Sequence, residues 1–295
     1  MLWLDSFLDY LRYERNYSED TVIAYRTDIL QLQSFCKGVD GEFDATKIAP
    51  EDIREWIVDM MDKAYTATSI NRKLSSLRSF YKFLMRTGKL VQDPLSKVVG
   101  PKNKKMLPVF LKESEMDRLL DDVPFKNNFK GCRDRMILVM FYETGIRLSE
   151  LIGLNDADVD FSASVIKVTG KRNKQRLIPF GEELENEMKS YISIRNEAVP
   201  VRAENAFFVR ETGERLYSSL VWRIVKRNLS KVVTVKKRSP HVLRHTFATT
   251  MLNHHAELNA IKELLGHASL AATEVYTHTT FEELKKVYNQ AHPRA

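Results

Sequence analysis

Cysteine and long hydrophobic runs are both scarce in this chain. Only Cys36 and Cys132 occur among its 295 residues, and no CxxC pair is present. This excludes a disulfide framework and is typical of a reducing compartment. The longest apolar run covers residues 136–142, whereas a membrane span needs about 20 apolar residues. The acidic N-terminus lacks the basic region of a signal peptide, so we expect a cytoplasmic protein without a membrane segment.

Metal-ligand and nucleotide-binding patterns are also missing. The sequence has no GxxxxGK[ST] motif and no cluster of carboxylates at metal-ligand spacing, so a two-metal nuclease would lack its ligands. His241 and His245 are four residues apart, as in a helical zinc site, but Val242 stands where the HExxH pattern requires glutamate. We therefore expect neither a metal nor an organic cofactor.

Positive charge is concentrated in the C-terminal two thirds. Residues 1–100 contain 14 Lys and Arg against 15 Asp and Glu, a net charge of −1, and residues 101–295 contain 32 against 24, a net charge of +8. A basic domain favours a polyanionic partner, most often nucleic acid. Hydrophobic residues make up 43% of the chain, which is enough for a buried core and excludes a disordered or low-complexity protein.

Helical periodicity dominates the first hundred residues. The spacing predicts helices around residues 4–11, over 21–35, from Pro50 onwards and over 69–85. The stretch DPLSKVVGPKNKKMLPVF that follows has three prolines and no periodicity, as in a linker. We predict an N-terminal helical domain at 1–96, a linker at 97–112 and a second domain at 113–295.

The second domain is predicted to be mixed. Alternating apolar residues over 165–168 and 176–179, around a polar turn, indicate a β-hairpin. Helical patterns cover residues 114–122, 129–143, 182–195, 218–230, 241–254, 257–265 and 281–289. The predicted fold class is therefore mainly α with a small β-sheet.

Basic side chains are the candidates for DNA contacts. One face of the helix over 69–85 carries Arg72, Lys73 and Arg78 among serines, which suits either an ordinary solvated face or a groove-binding helix. The other candidates lie in the linker, the hairpin and the segment before Pro240: Lys102, Lys104, Lys105, Lys174, Arg176, Lys236, Lys237 and Arg238.

Four motifs follow one another in the second domain: TGIRLSEL, GKRNKQRLIP, PHVLRHTFAT and LLGHASLAATEVYTH. They contain Arg147, Lys171, His241, Arg244, His267 and Tyr276. Each residue alone is ordinary, but in this order the motifs resemble those of the tyrosine recombinases, the phage integrase family. The N-terminal FLDYLRYERNYSEDTVIAYRTDI is also similar to that family's core-binding domain. The resemblance implies a two-domain protein, a helical core-binding bundle plus a mixed α/β catalytic domain, which clamps around duplex DNA.

The resemblance implies attack by Tyr276 on a DNA phosphodiester, giving a covalent 3′-phosphotyrosyl intermediate. Negative charge then builds on the phosphate oxygens, and Arg147 and Arg244 suit those oxygens because guanidinium groups offer fixed multidentate geometry. His241 would accept or orient the phenol proton, Lys171 would protonate the leaving 5′-hydroxyl, and His267 would donate a hydrogen bond to the phosphate. The covalent bond conserves energy, so religation would need neither ATP nor metal.

The hairpin turn departs from the family pattern. Arg172 stands where relatives usually have the second glycine of GKG, so the placement of Lys171 is open, with Lys167 and Lys174 as the other candidate acids. His255 likewise replaces a usual glycine in a second turn.

The length and the C-terminal YTHTTFEELKKVYNQAHPRA are similar to those of the Xer recombinases, which resolve chromosome dimers. Such a role implies a specific DNA site, a second related recombinase in a cyclic heterotetramer, and regulation by a septal DNA translocase. The apolar spacing of residues 281–288 suits a helix docked on a neighbouring protomer or on its own domain equally well. A mobile-element integrase, a type IB topoisomerase-like enzyme and a non-enzymatic DNA-binding protein are the alternatives.

Overall fold

The computed structural model describes residues 3–36, 43–103, 109–170, 174–202, 205–233, 237–266 and 278–295 (backbone alone for 278–280). The chain divides into two compact units, Met1–Met106 and Leu107–Ala295. This division falls within the range 97–112 that the sequence predicts as a linker. Among the described helices, none is long and apolar enough to cross a membrane.

The first unit is helical. It contains α1 (Leu4–Asp9), continued by π-helical turns over Tyr10–Glu14, then α2 (Glu19–Cys36), α3 (Pro50–Asp62) and α4 (Ala67–Arg86). Thr66 caps α4, because its hydroxyl accepts a hydrogen bond from the Ser69 N–H at 3.2 Å. The predicted apolar face of α4 is fully buried and consists of Ile70, Leu74, Leu77, Tyr81 and Leu84.

Residues 97–103 pack on α4. Asn71 Nδ2 donates a hydrogen bond to the Pro101 carbonyl at 2.7 Å, and Arg78 Nη2 donates to the Val98 carbonyl at 3.2 Å. A Cβ atom built on Gly100 would lie 2.0 Å from Asn71 Oδ1, so a larger residue here would displace the Asn71 side chain from its present position. The first part of the predicted linker is therefore held against the helical unit.

The second unit surrounds one buried helix. Its helices are α5 (Glu113–Asp117, continued by π-helical turns over Arg118–Asp122), α6 (Phe129–Thr144), α7 (Leu148–Gly153), α8 (Glu182–Ala198), α9 (Ser218–Leu229), α10 (Pro240–Asn253), α11 (Leu258–Leu265) and α12 (His278–Ala291). The long apolar run at 136–142 lies in α6, where each of its residues is at most 1% exposed. Helices α8, α9 and α10 pack against α6, which explains why the apolar run has no polar face.

The strands form one antiparallel sheet in the order β1 (Val159–Asp160), β2 (Val165–Thr169) and β3 (Gln175–Pro179). In the predicted hairpin, Thr169 pairs with Gln175 and Val165 with Pro179. The Gly170 N–H closes the described part of the turn by donating to the Lys174 carbonyl at 2.7 Å. The fold confirms the predicted class, mainly α with a small β-sheet.

Helix α12 packs on its own unit, one of the two arrangements that the sequence leaves open. Leu284, Tyr288 and Ala291 join a buried cluster with residues of α10 and α11. The next residue after the helix, His292, is also buried, and its ring stacks on Tyr288 with centroids 5.5 Å apart.

The hydrogen bonds of His292 require a neutral ring. Nε2 donates to the Tyr142 carbonyl at 3.3 Å, and Nδ1 accepts from the Arg294 N–H at 3.2 Å. Protonation of Nδ1 would place two donors against each other in a buried site. Burial, opposed by the bond to the Tyr142 carbonyl, lowers the pKa of His292 to about 4 from an ordinary 6.5.

We expect acid to weaken the packing of the C-terminal segment. The folded-state pKa of His292 lies below its unfolded value, so its contribution to stability is complete above pH 6.5 and is lost as the pH falls towards 4. A shift of this size corresponds to about 3 kcal/mol in the free energy of unfolding. In His292→Phe, the melting temperature should therefore fall less between pH 7 and pH 5 than it does in the parent protein. Circular dichroism measures both melting temperatures.

The matched control is His255→Asn, because His255 is exposed and has a φ of +63° that asparagine tolerates. This variant should keep the acid sensitivity of the parent protein. Equal pH slopes for His292→Phe and the parent protein would contradict the assignment of the acid sensitivity to His292.

Candidate active site

Two predicted catalytic arginines, Arg147 and Arg244, come from different helix ends and line the same cavity. Gly145 ends α6 in the left-handed region with a φ of +57°, and Arg147 then begins α7 as its N-cap residue. A Cβ atom on Gly145 would lie 2.6 Å from Phe247 Cδ1, so the turn before Arg147 requires glycine. Arg244 lies in the second turn of α10, on the same unit.

Backbone carbonyls fix both guanidinium groups. Arg147 Nη2 donates to the Gly266 carbonyl at 2.6 Å, and Arg244 Nη2 donates to the Leu265 carbonyl at 2.6 Å. Arg244 Nη1 also donates to the Gly145 carbonyl. Each of these Nη atoms carries a second hydrogen. The carbonyls therefore orient both guanidinium groups and still leave N–H donors that can bind an anion.

A third arginine completes a series of three contacts at the C-terminal end of α11. Arg176 Nε donates to the Leu264 carbonyl at 2.8 Å, so three successive carbonyls, of Leu264, Leu265 and Gly266, each bind a different arginine. The last carbonyls of a helix have no intrahelical partner and carry the negative end of its dipole. The helix end is therefore a suitable place to gather positive charge.

Glu150 is the carboxylate at the centre of this cluster. It lies in the first turn of α7, where its Oε2 accepts from the Arg147 N–H at 2.8 Å and its Oε1 accepts from Arg147 Nη1 at 2.7 Å. Arg176 binds both oxygens, at 2.6 and 2.9 Å. Burial opposes ionisation of Glu150, but the hydrogen bonds and charges of Arg176 and Arg147 prevail and lower its pKa to about 2.

The cluster is strongly electropositive. Burial, together with the charges of Arg147 and Arg176, lowers the pKa of Arg244 to about 10. Arg244 is still charged at neutral pH, and the repulsion among the arginines is relieved by an anion. A site with this electrostatic preference binds and stabilises negative charge.

The cavity beside these residues has a volume of about 430 Å³. Its polar lining consists of Arg147, Ser149, Ser218, His241, Arg244 and His245. His241 lies one helical turn before Arg244 on α10 and is exposed, so an imidazole and two guanidinium groups face the same space. Among the described residues, no group of His, Cys, Asp or Glu could hold a metal ion.

Three predicted catalytic residues, Lys171, His267 and Tyr276, lie outside the described residues. The structure does describe two of their neighbours. A Cβ atom on Gly170 would lie 3.2 Å from Glu150 Oε1 and 3.7 Å from Arg147 Nη1, so the chain enters the hairpin turn beside the cluster. The Gly266 carbonyl binds Arg147 directly, and Gly266 immediately precedes His267.

Of the other candidate acids, Lys167 is exposed, with its Nζ 3.9 Å from Asp158 Oδ1, and Lys174 is exposed at the end of the hairpin.

Two of the predicted DNA contacts are buried, so those two predictions do not fit the structure. Lys73 is 4% exposed, and its Nζ donates to Asp28 Oδ1 at 2.9 Å and to Gln31 Oε1 at 2.5 Å. Arg176 is 7% exposed and is bound to Glu150 and the Leu264 carbonyl. An unpaired buried charge is costly, and both side chains are occupied in neutralising a buried carboxylate.

The remaining basic candidates are accessible where they are described. Arg72 is exposed but donates to both oxygens of Asp28, at 2.6 and 2.8 Å. Arg238 is half-buried and donates to the Val233 carbonyl at 2.9 Å. Arg78, Lys102, Lys174 and Lys237 are exposed. Lys104, Lys105 and Lys236 lie outside the described residues.

Sequence reasoning missed Glu150, although a signal was present. In RLSE, a glutamate three residues after the N-cap position is the pattern of a capping box, where the acid accepts from the N-cap N–H. This bond is present between Glu150 and Arg147. The pattern predicts the cap but not the second role of the carboxylate in binding Arg176, which is distant in sequence.

Known proteins match this chain over nearly its whole length. Residues 109–283 match the phage integrase family, and residues 4–88 match the phage integrase N-terminal SAM-like domain. The chain is 40% identical to the tyrosine recombinase XerC of Chlorobaculum tepidum, over 99% of this chain and 95% of that protein. It is 38% identical to the tyrosine recombinase XerC of Listeria innocua, over 98% of this chain and 97% of that protein.

Solved structures share the fold. The integrase of the Tn1549 transposon, in complex with circular intermediate DNA, has a TM-score of 0.70 at 22% identity, over 95% of this chain and 97% of that chain. The XerH site-specific recombinase, in a post-cleavage complex with a palindromic difH substrate, has a TM-score of 0.71 at 20% identity, over 96% of this chain and 83% of that chain. Because the family match covers more than half of the chain and the XerC relatives are similar throughout, this protein belongs to the phage integrase family, the tyrosine recombinases.

Proposed function

We propose that this chain is a site-specific recombinase that cuts and rejoins duplex DNA through a covalent 3′-phosphotyrosyl intermediate, and that it resolves chromosome dimers at cell division. The observation that carries the proposal is the convergence of Arg147, Arg244 and His241 on one cavity. The identity to XerC proteins, 38–41% over nearly the full chain, supports the cell-division role over that of a mobile-element integrase.

The proposed reaction begins with attack of the Tyr276 phenolic oxygen on the scissile phosphorus. The P–O bond to tyrosine forms as the bond to the 5′-oxygen breaks, and His241 accepts the phenol proton. Lys171 gives a proton to the departing 5′-oxygen, so the hydroxyl product is neutral. His267 donates a hydrogen bond to the phosphate. Attack of another 5′-hydroxyl on the phosphotyrosine reverses these steps and joins a new strand.

The described geometry suits the charge that develops during this reaction. Arg147 and Arg244 are held by backbone carbonyls before any substrate binds, so little reorganisation is needed when charge builds on the non-bridging oxygens. One P–O bond to tyrosine forms for each P–O bond to a 5′-oxygen that breaks, so no further source of energy is needed to rejoin the strands. We therefore propose that the reaction needs neither ATP nor a metal ion.

DNA binding is proposed to use the accessible basic residues, since phosphate contacts by Lys and Arg dominate affinity for DNA. The proposed contacts are Arg72, Arg78, Lys102, Lys104, Lys105, Lys174, Lys236, Lys237 and Arg238. We further propose a cytoplasmic protein that acts with a second related recombinase in a cyclic heterotetramer and under the control of a septal DNA translocase.

A nicked duplex that traps the cleaved complex tests the function. The substrate carries a candidate chromosome-dimer resolution site, and the nick lets the released short strand diffuse away so that religation fails. With protein in EDTA, we expect a covalent protein–DNA adduct on a denaturing gel.

The matched control is a duplex of the same length with a scrambled site, which should give no adduct. If cleavage occurs only with added divalent metal and leaves no adduct, the proposed mechanism is wrong. The reaction is run with and without the partner recombinase, so dependence on the partner is measured in the same experiment.

A further inference from the structure

Arg176 connects Glu150 to the C-terminal end of α11. It lies on β3, directly after the hairpin turn, with its side chain 6% exposed. Its three guanidinium nitrogens all donate hydrogen bonds, two to Glu150 and one to the Leu264 carbonyl. A fork bound to a carboxylate by two parallel hydrogen bonds is geometrically specific.

The two partners of Arg176 are the groups that hold the phosphate-binding arginines. Glu150 orients Arg147 through its side chain and its N–H. The carbonyls that follow Leu264 hold Arg244 and Arg147. Arg176 therefore joins the hairpin, α7 and the end of α11 at a single guanidinium group.

Packing reinforces this connection. A Cβ atom on Gly266 would lie 2.9 Å from Arg176 Cδ and 3.2 Å from its Nε, so the arginine stem lies directly against the glycine that ends α11. Gly266 itself has a left-handed φ of +61°, which a residue with a side chain rarely adopts. Without Arg176, the buried charge of Glu150 would have Arg147 as its remaining partner, and the turn at Gly266 would lose the side chain that packs on it.

We infer that Arg176 is a positioning residue for strand cleavage, which sets Arg147 and the C-terminal turn of α11 through Glu150 and the Leu264 carbonyl and does not itself contact DNA. This inference rests on the proposed function. The hairpin would then have two roles in cleavage. Lys171 is the proposed general acid, and Arg176 on β3 would align the arginines that are proposed to bind the phosphate.

The test compares Arg176→Gln and Arg176→Lys with the parent protein on the nicked duplex. At saturating DNA, we expect Arg176→Gln to cleave about 100-fold more slowly, because small misplacements of catalytic groups cost about that much. Its Kd for DNA and the salt dependence of that Kd should match the parent protein. Lysine should restore part of the rate, since it can pair with Glu150 but cannot bind both oxygens and the carbonyl.

Two further variants separate the outcomes. Lys237→Gln removes an exposed proposed phosphate contact and should lower the slope of log Kd against log salt by about 1. The double variant Glu150→Gln, Arg176→Gln removes the buried charge and the guanidinium together, so it retains the fold if Arg176→Gln alone does not. It should cleave about as slowly as Arg176→Gln, because residues that act as a pair are not additive.

The inference is overturned if either folded variant without Arg176 cleaves like the parent protein, or if Arg176→Gln lowers the salt slope as Lys237→Gln does. Failure of the proposed function looks different, because the parent protein itself would then form no covalent adduct with its DNA site.

Discussion

The Tyr276→Phe variant is expected to form no covalent adduct on the nicked duplex, even after long incubation. Removal of the phenolic oxygen deletes the atom that is proposed to bond to phosphorus, and none of the described residues that line the cavity is proposed as a nucleophile. Affinity for DNA should change little, because phosphate contacts of basic side chains dominate it. Adducts are counted on a denaturing gel, and binding is measured by fluorescence anisotropy.

Tyr13→Phe is the matched control, because Tyr13 is 77% exposed and lies in the N-terminal unit. It should give the same amount of adduct as the parent protein. An adduct that persists in Tyr276→Phe would assign the nucleophile to another residue, and peptide mapping of that adduct would identify it.

Arg244→Lys is expected to lower the rate of strand cleavage by about 10³-fold, at the upper end of the cost of losing one preorganised donor. Arginine binds the Leu265 and Gly145 carbonyls and keeps donors for the phosphate, whereas an ammonium group cannot satisfy this planar arrangement. The same burial and positive neighbours that lower the pKa of Arg244 to about 10 would lower that of a lysine from a smaller starting value. The substitution therefore weakens both the geometry and the charge.

The rate is measured in single turnover at saturating DNA, so a change in affinity cannot account for it. Arg118→Lys serves as the control for the same chemical change, because Arg118 is exposed on the π-helical turns after α5, and it should cleave normally. Cleavage by Arg244→Lys within tenfold of the parent rate would refute a direct role of the guanidinium at the phosphate.

Most helices and strands of this fold can be predicted from the sequence, because the signals that determine each of them lie within a short stretch of the chain. The helix expected over 129–143 is α6 at Phe129–Thr144, and the two expected strands pair as an antiparallel hairpin. Periodicity, turn residues and a capping pattern act within a few residues of one another. The predicted catalytic residues could be identified because the motifs that contain them occur in the order found in the family. None of these residues would be recognised alone.

Which basic side chains face solvent cannot be predicted in this way. Lys73 and Arg78 occupy the same helix, but Asp28 on α2 draws Lys73 into the core while Arg78 stays exposed. Arg176 lies two residues before the buried Ile178 on β3, so both side chains point to the same face of the sheet. The guanidinium group is accommodated there because Glu150, 26 residues earlier in the chain, binds it. These ion pairs form between elements that are distant in sequence. A pattern within a few residues therefore cannot predict which carboxylate a basic side chain will bind.

The three carbonyls at the end of α11 have a consequence for how this site tolerates change. Carbonyl oxygens belong to every residue, so replacing Leu264 or Leu265 by another apolar side chain of similar volume leaves all three arginine acceptors present. Adding or deleting one residue in α11 rotates the following residues by about 100° and moves every acceptor away from its arginine at once. Apolar substitutions along this helix should therefore be tolerated. Its length should not vary, because three guanidinium groups bind the carbonyls at its C-terminal end.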